Sequence, residues 1–138
     1  ANTDRHPRNW GTLRGLEGKS VLAASFDHGS SLGFSEPDAK RTRLTQDADS
    51  LNHWVRKGIC KAFAGKPKLL DLAKEALDSM PIESKLSLLA KIEALDFPRM
   101  ETALAEIPLG RMSEAARRLC IAILRTNQGR LRNVCSTS

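Results

Sequence analysis

Three oxygen-bearing side chains near the start of this sequence have the types and spacing of a phosphate-handling centre. Asp4 and Asn9 are separated by Arg5-His6-Pro7-Arg8, and Asp27 follows in Ser25-Phe26-Asp27-His28-Gly29. Phosphoryl transfer needs a carboxylate that accepts or orients the attacking hydroxyl, and hard oxygen ligands that hold magnesium against the phosphates. Asp4 suits the first task, and Asn9 and Asp27 suit the second. Taken singly, each has an ordinary alternative, because Asp and Asn are also turn residues that hydrogen-bond nearby backbone. The combination is therefore informative only if the chain brings the three together.

The elements between them predict that it does. Trp10-Gly11-Thr12-Leu13 and Ser20-Val21-Leu22-Ala23-Ala24 are short β-compatible runs, and Gly15 and Gly18 flank a turn at Leu16-Glu17. A hairpin over these residues starts its first strand just after Asn9 and ends its second just before Asp27, so its open end brings the two metal ligands together. Residues 28–35, His28-Gly29-Ser30-Ser31-Leu32-Gly33-Phe34-Ser35, read as a flexible polar loop in which Ser30 or Ser31 is a candidate contact for phosphate.

Beyond that loop, helix punctuation recurs and strand alternation is almost missing. Ser35-Glu36-Pro37-Asp38 offers a cap, an acid three residues on and a proline in the first turn. Leu51, Trp54 and Val55 fall at helical spacing behind Asp49 or Ser50 as cap, with Gly58 as the stop. Pro67, Pro81 and Pro98 open helices predicted over roughly 67–78, 81–95 and 98–106. The apolar stripes Leu69, Leu72, Ala73, Leu77 and Ile82, Leu86, Leu89 are expected to be core.

The last predicted helix, about Ser113 to Val134, carries most of the basicity. Residues 110–138 hold six Arg against one Glu, which leaves +5 of the formal net charge of +6. Arg111, Arg118, Arg125 and Arg132 recur every seven residues, and with Arg117 and Arg130 they predict a basic face opposite Leu119, Ile123, Leu124 and Leu131. Arg118, Arg125 and Arg132 are candidate contacts to DNA phosphates or an acidic partner. The plainer reading is a solvated helix face.

Composition bounds the class. At 138 residues, 41% hydrophobic and 28% charged, the chain reads as one globular domain, 1–138, large enough for a core. No apolar run is long enough to span a membrane, and no membrane partner is expected. Cys60, Cys120 and Cys135 are odd in number and widely spaced, which argues for a reducing, cytoplasmic setting rather than a disulfide framework.

The stretch Asn2-Thr3-Asp4-Arg5-His6-Pro7-Arg8-Asn9-Trp10-Gly11, with Leu22-Ala23-Ala24-Ser25-Phe26-Asp27-His28-Gly29-Ser30-Ser31-Leu32-Gly33, resembles the catalytic half of HipA-like serine/threonine kinases, the toxin-type kinases of bacterial toxin–antitoxin systems. The resemblance is close over the first third of the chain and general over the helical remainder. It implies a mainly α, kinase C-terminal-lobe-like domain in which residues 1–35 carry the catalytic loop, the hairpin and the metal-binding Asp loop. It implies ATP and magnesium as cofactors, Asp4 as catalytic residue, and Asn9 and Asp27 as metal ligands. The implied substrate is a protein Ser or Thr hydroxyl.

Kinases place a phosphate-covering loop and a strand lysine before the catalytic loop. Only three residues precede Asp4, so the ATP-gripping N-terminal lobe is expected outside this chain, which then reads as a fragment, a processed product or one piece of a split kinase. Expected partners are that lobe or an antitoxin-type DNA-binding protein. The alternative from a different class is a non-catalytic helical module that binds through its basic last helix.

Overall fold

The computed structural model describes residues 11–136 apart from Ser25, Asp27, Ser30 and Ala62. Asp4, Asn9 and Asp27 lie outside the described residues, as does His6. Among the described residues the chain is mainly helical, as expected, with one small antiparallel hairpin. The order is β1 (Thr12–Arg14), β2 (Ser20–Leu22), α1 (Asp38–Gln46), α2 (Ala48–Val55), α3 (Leu69–Asp78), α4 (Ile82–Glu93), α5 (Phe97–Ala105) and α6 (Glu114–Ser136).

The long α6 is the axis, and each of α1 to α5 packs against it. Its inward face follows the helical period: Ala116, Leu119, Cys120 and Ile123 are buried at spacings of three and four. Leu119 and Ile123, both 0% exposed, meet Leu44 of α1 and Leu51 and Val55 of α2, with Leu32, Trp54 and Ala122 at the margin. Fully burying such a side chain is worth about 1.5–3 kcal/mol. This cluster therefore fixes α1 and α2 on the N-terminal half of α6.

Helix starts are set by side-chain caps where one is present. Asp47, not Asp49 or Ser50, caps α2, accepting from the Asp49 and Ser50 amides at 3.0 and 3.1 Å. Asp96 caps α5 by accepting from the Arg99 amide at 2.9 Å, with Pro98 in the first turn. Asp96→Ala is expected to lower stability by about 1 kcal/mol, read as a fall in the urea midpoint without a change in slope. α3 begins at Leu69 rather than Pro67 because Lys68 is held in an antiparallel bridge with Ile59. α1 begins at Asp38 with Pro37 at the cap position and no side-chain cap bond, so Ser35 does not cap it.

The apolar stripe expected of α4 is corrected. Ile82 and Leu86 are 64% and 59% exposed. The face turned inward carries Lys85, Leu88, Leu89 and Ile92, all half-buried. The apolar arc of α4 is wider than the surface that α6 offers it, so packing selects one flank and leaves the other in solvent. Gln128 of α6 fixes that choice by donating to the Ile92 carbonyl at 2.7 Å.

The hairpin forms where expected. Thr12 pairs with Leu22, Leu13 with Val21 and Arg14 with Ser20. The Gly15 amide donates to the Lys19 carbonyl at 2.9 Å, and Gly18 turns the chain at φ +78°. Every strand residue is exposed. At the open end, the Ala23 amide donates to the Gly11 carbonyl at 2.8 Å, extending the pairing beyond the strands. No helix among the described residues is long and apolar enough to cross a membrane.

Candidate functional site

The loop after the hairpin is not uniformly polar and loose. Successive backbone bonds, Ser31 amide to His28 carbonyl at 2.9 Å, Phe34 to Ser31 at 3.0 Å and Glu36 to Gly33 at 3.0 Å, wind its second half into tight turns. Leu32 and Gly33 both sit at positive φ, 54° and 74°. That conformation points Leu32 at the core and lays the Gly33 backbone on Leu119, where an added Cβ would stand 2.7 Å from Leu119 Cδ2. The buried Cys120 thiol adds a bond to the Leu32 carbonyl at 3.7 Å. The segment that follows Asp27 is thereby docked on the main helix.

A cleft of about 660 Å³ opens beside it. Its walls are the loop (His28, Ser31, Phe34), the first turn of α1, the stretch between α5 and α6 (Ile107, Leu109, Met112) and the start of α6. Arg41 braces the cleft, donating to Asp38 Oδ1 at 2.7 Å and to the Phe34 carbonyl at 2.6 Å. Its Nε is buried with no hydrogen-bond partner among the described residues. Ser113 donates to the same Asp38 oxygen at 2.8 Å and accepts from the Ala116 amide at 3.2 Å, so one carboxylate ties the start of α1 to the start of α6.

The Ser113 hydroxyl, and then Arg41, hold the Asp38 carboxyl below its ordinary value of 3.8. Because the folded-state value is depressed, the contribution of Asp38 is complete above the unfolded value and fades as pH falls through the folded one. Wild type is therefore expected to be more stable than Asp38→Asn near neutral pH, with the gap closing below about pH 3.8; denaturant titrations at each pH measure it. Burial pushes the Cys120 thiol up, which disfavours its thiolate.

The arginines of the last helix are more committed than the sevenfold spacing implies. Arg117 pairs with Glu114 at 3.6 Å and donates to the Ile107 carbonyl, so it faces inward with a side chain only 14% exposed. Arg130 is half-buried, donating to the Val55 carbonyl at 3.3 Å and to Asn127 at 2.8 Å. One continuous basic face is therefore corrected, because these two cations are drawn into packing. Arg125 is exposed but pairs with Glu101 at 3.1 Å and lies 4.3 Å over the Phe97 ring. Arg132 pairs with Glu93 at 3.3 Å. Arg118 is exposed at the edge of a groove of about 490 Å³ between α1, α5 and α6.

No family model, curated protein or solved structure matches the chain. What the chain does must be read from its own residues. Asp4, Asn9 and Asp27 lie outside the described residues, and the described structure contributes their flanks: the Gly11–Ala23 pairing on one side of the gap and the docked Ser31–Phe34 turns on the other. The Asp38–Arg41–Ser113 cluster was not legible in sequence, since nothing marks Ser113 as the partner of a residue 75 positions away.

Proposed function

We propose that the chain is the C-terminal catalytic lobe of a HipA-like serine/threonine kinase, which transfers the γ-phosphoryl group of ATP to a protein hydroxyl. The observation that carries this reading is the pairing at the open end of the hairpin. Gly11 and Ala23 are hydrogen-bonded partners at 2.8 Å; Asn9 is two residues before the first and Asp27 four residues after the second. Both oxygen ligands therefore lie in sequence within two and four residues of the same end of a registered hairpin.

The donor set fits magnesium, because an amide oxygen and a carboxylate are the hard ligands that the ion takes. Asn9 and Asp27 would hold it, and its charge would offset that of the phosphates. Asp4 would orient the acceptor hydroxyl and take its proton. The cleft beside the Ser31–Phe34 turns, with its apolar wall of Ile107, Leu109 and Met112, would take the protein segment that carries the hydroxyl. An ATP-gripping lobe or an antitoxin-type DNA-binding protein would complete the assembly. The α6-based binding module has less behind it, since Arg125 and Arg132 already face Glu101 and Glu93.

The test is magnesium-dependent transfer from γ-labelled ATP to a protein acceptor by the chain together with its ATP-gripping lobe. Transfer to Ser or Thr that disappears without magnesium supports the reading. Absence of both transfer and magnesium-dependent nucleotide binding would overturn it.

A further inference from the structure

Among the described residues, the longest run of positive charge without ion pairs is not on α6. Between Asp49 and Asp71 the sequence has no acid and carries Arg56, Lys57, Lys61, Lys66 and Lys68. All five are exposed, and none has an ion pair among the described residues. Repulsion of this kind is unfavourable in the free protein, and Arg56 is close enough to Arg130 to help lower its affinity for a proton, after burial.

These cations sit on a built loop. A small two-sided clasp joins the end of α2 to the start of α3: the Cys60 amide donates to the Pro67 carbonyl at 2.9 Å and the Leu69 amide to the Gly58 carbonyl at 3.1 Å, around the Ile59–Lys68 bridge. Cys60 is buried and anchors the base. The tip is a turn closed by the Lys66 amide on the Phe63 carbonyl at 3.2 Å, with Gly65 at φ +77° and Lys66 at φ +48°. A non-glycine residue in the left-handed region is an unfavourable arrangement, and such arrangements concentrate at functional loops. Phe63 stands at this tip 58% exposed, among lysines, in a chain with few aromatic residues. At the foot of the loop, Lys57 also borders a cleft of about 460 Å³ between α1 and α2, whose other charged groups are balanced: Lys40 pairs with Glu36 at 2.7 Å, and Asp49 lines the cleft beside Arg43.

We propose that the loop between α2 and α3, with Arg56 and Lys57 at its foot, forms a binding surface for single-stranded nucleic acid, in which the lysines contact successive phosphates and the Phe63 ring stacks on a base. Unpaired cations along a track, with a projecting ring beside them, are the two components that such binding uses. A bilayer is the poorer fit, because a single ring offers little apolar area to insert. This surface is independent of the kinase reading.

The experiment is fluorescence anisotropy of a labelled single-stranded oligonucleotide with the full chain, over a range of salt. Binding should weaken with salt, and Lys61→Ala/Lys66→Ala/Lys68→Ala together should flatten the log–log slope by about 2, since each phosphate neutralised on a single strand adds about 0.7 to it. Phe63→Ala should weaken binding by about 5- to 150-fold, the loss of one stacked base, whereas Phe63→Trp should retain it. Arg99→Ala, at an exposed cation of α5 outside this surface, should leave it unchanged. Circular dichroism melts check that each exposed-site variant is folded. Absence of binding at low salt, binding indifferent to the loop variants, equal affinity for duplex, or binding only to phosphatidylserine vesicles would each overturn the proposal.

Discussion

On the proposed kinase reading, Asp4→Ala is expected to lower the rate of phosphoryl transfer by about a hundred- to ten-thousand-fold, the range over which a positioned proton acceptor contributes. If Asp4 orients the acceptor hydroxyl, the loss falls on the catalytic rate and leaves the magnesium concentration for half-maximal activity where it was. Asp27→Ala and Asn9→Ala should behave differently, because a lost oxygen ligand weakens the hold on the ion. Their activity should need more magnesium, and part of it should return as magnesium is raised. Magnesium titrations of the three variants separate the two roles. Equal rates in wild type and Asp4→Ala would remove Asp4 from the mechanism, and an unchanged magnesium requirement in Asp27→Ala would remove that residue from the metal site.

Gly33→Ala is expected to destabilise the fold by about 2–5 kcal/mol, the sum of two unfavourable terms. A non-glycine residue at φ +74° costs about 1–2 kcal/mol. The new methyl would also stand 2.7 Å from Leu119 Cδ2, and overpacking a core costs about 1–3 kcal/mol. Leu119 is fully buried on the central helix and cannot swing out. A loss of this size is a large share of the roughly 5–15 kcal/mol by which folded domains are stable. The clash has a specific remedy, since Leu119→Ala vacates the space that the new methyl enters. Leu119→Ala alone should cost about 2–5 kcal/mol, and the double variant should lose less than the two single losses added together. Urea melts of all four proteins measure this coupling. Strict additivity would mean that the loop does not rest on Leu119.

The same contact bears on function in the proposed reading. The turns at Ser31–Phe34 hold the chain immediately after the Asp27 segment against α6. A milder change at Gly33 that leaves the domain folded should therefore still alter the magnesium dependence of transfer.

Local chemistry made much of the architecture readable in advance. The hairpin was marked by Gly15 and Gly18 around Leu16-Glu17, and Gly18 takes the positive φ of the left-handed residue that follows the turn in a longer hairpin loop. Helix positions followed from proline and acidic punctuation, with starts displaced by a residue or two where the capping side chain was Asp47 or Asp96. The apolar face of α6 was legible because Leu119 and Ile123 lie on one side at helical spacing, and the structure buries both.

Three things were not legible, for a common reason. Ile82 and Leu86 have core composition, yet α6 covers only the other flank of α4. Arg117 and Arg130 have surface composition, yet the Ile107 and Val55 carbonyls draw them in. Leu32 and Gly33 lie in a polar, glycine-rich segment, yet left-handed backbone places them on the core. In each case what decides is a contact outside the residue's own helix or turn, whether ten residues away, as for Arg117 with Ile107, or seventy-five, as for Arg130 with Val55.

By itself, then, the sequence determined the helical class and the hairpin, because these depend on residue type and on spacing within a turn or two. Only the tertiary structure decided which flank of α4 is covered, which arginines remain free and how the loop after Asp27 is anchored. Those outcomes depend on contacts such as Gly33 with Leu119 and Asp38 with Ser113, formed between segments that meet only when α6 is in place.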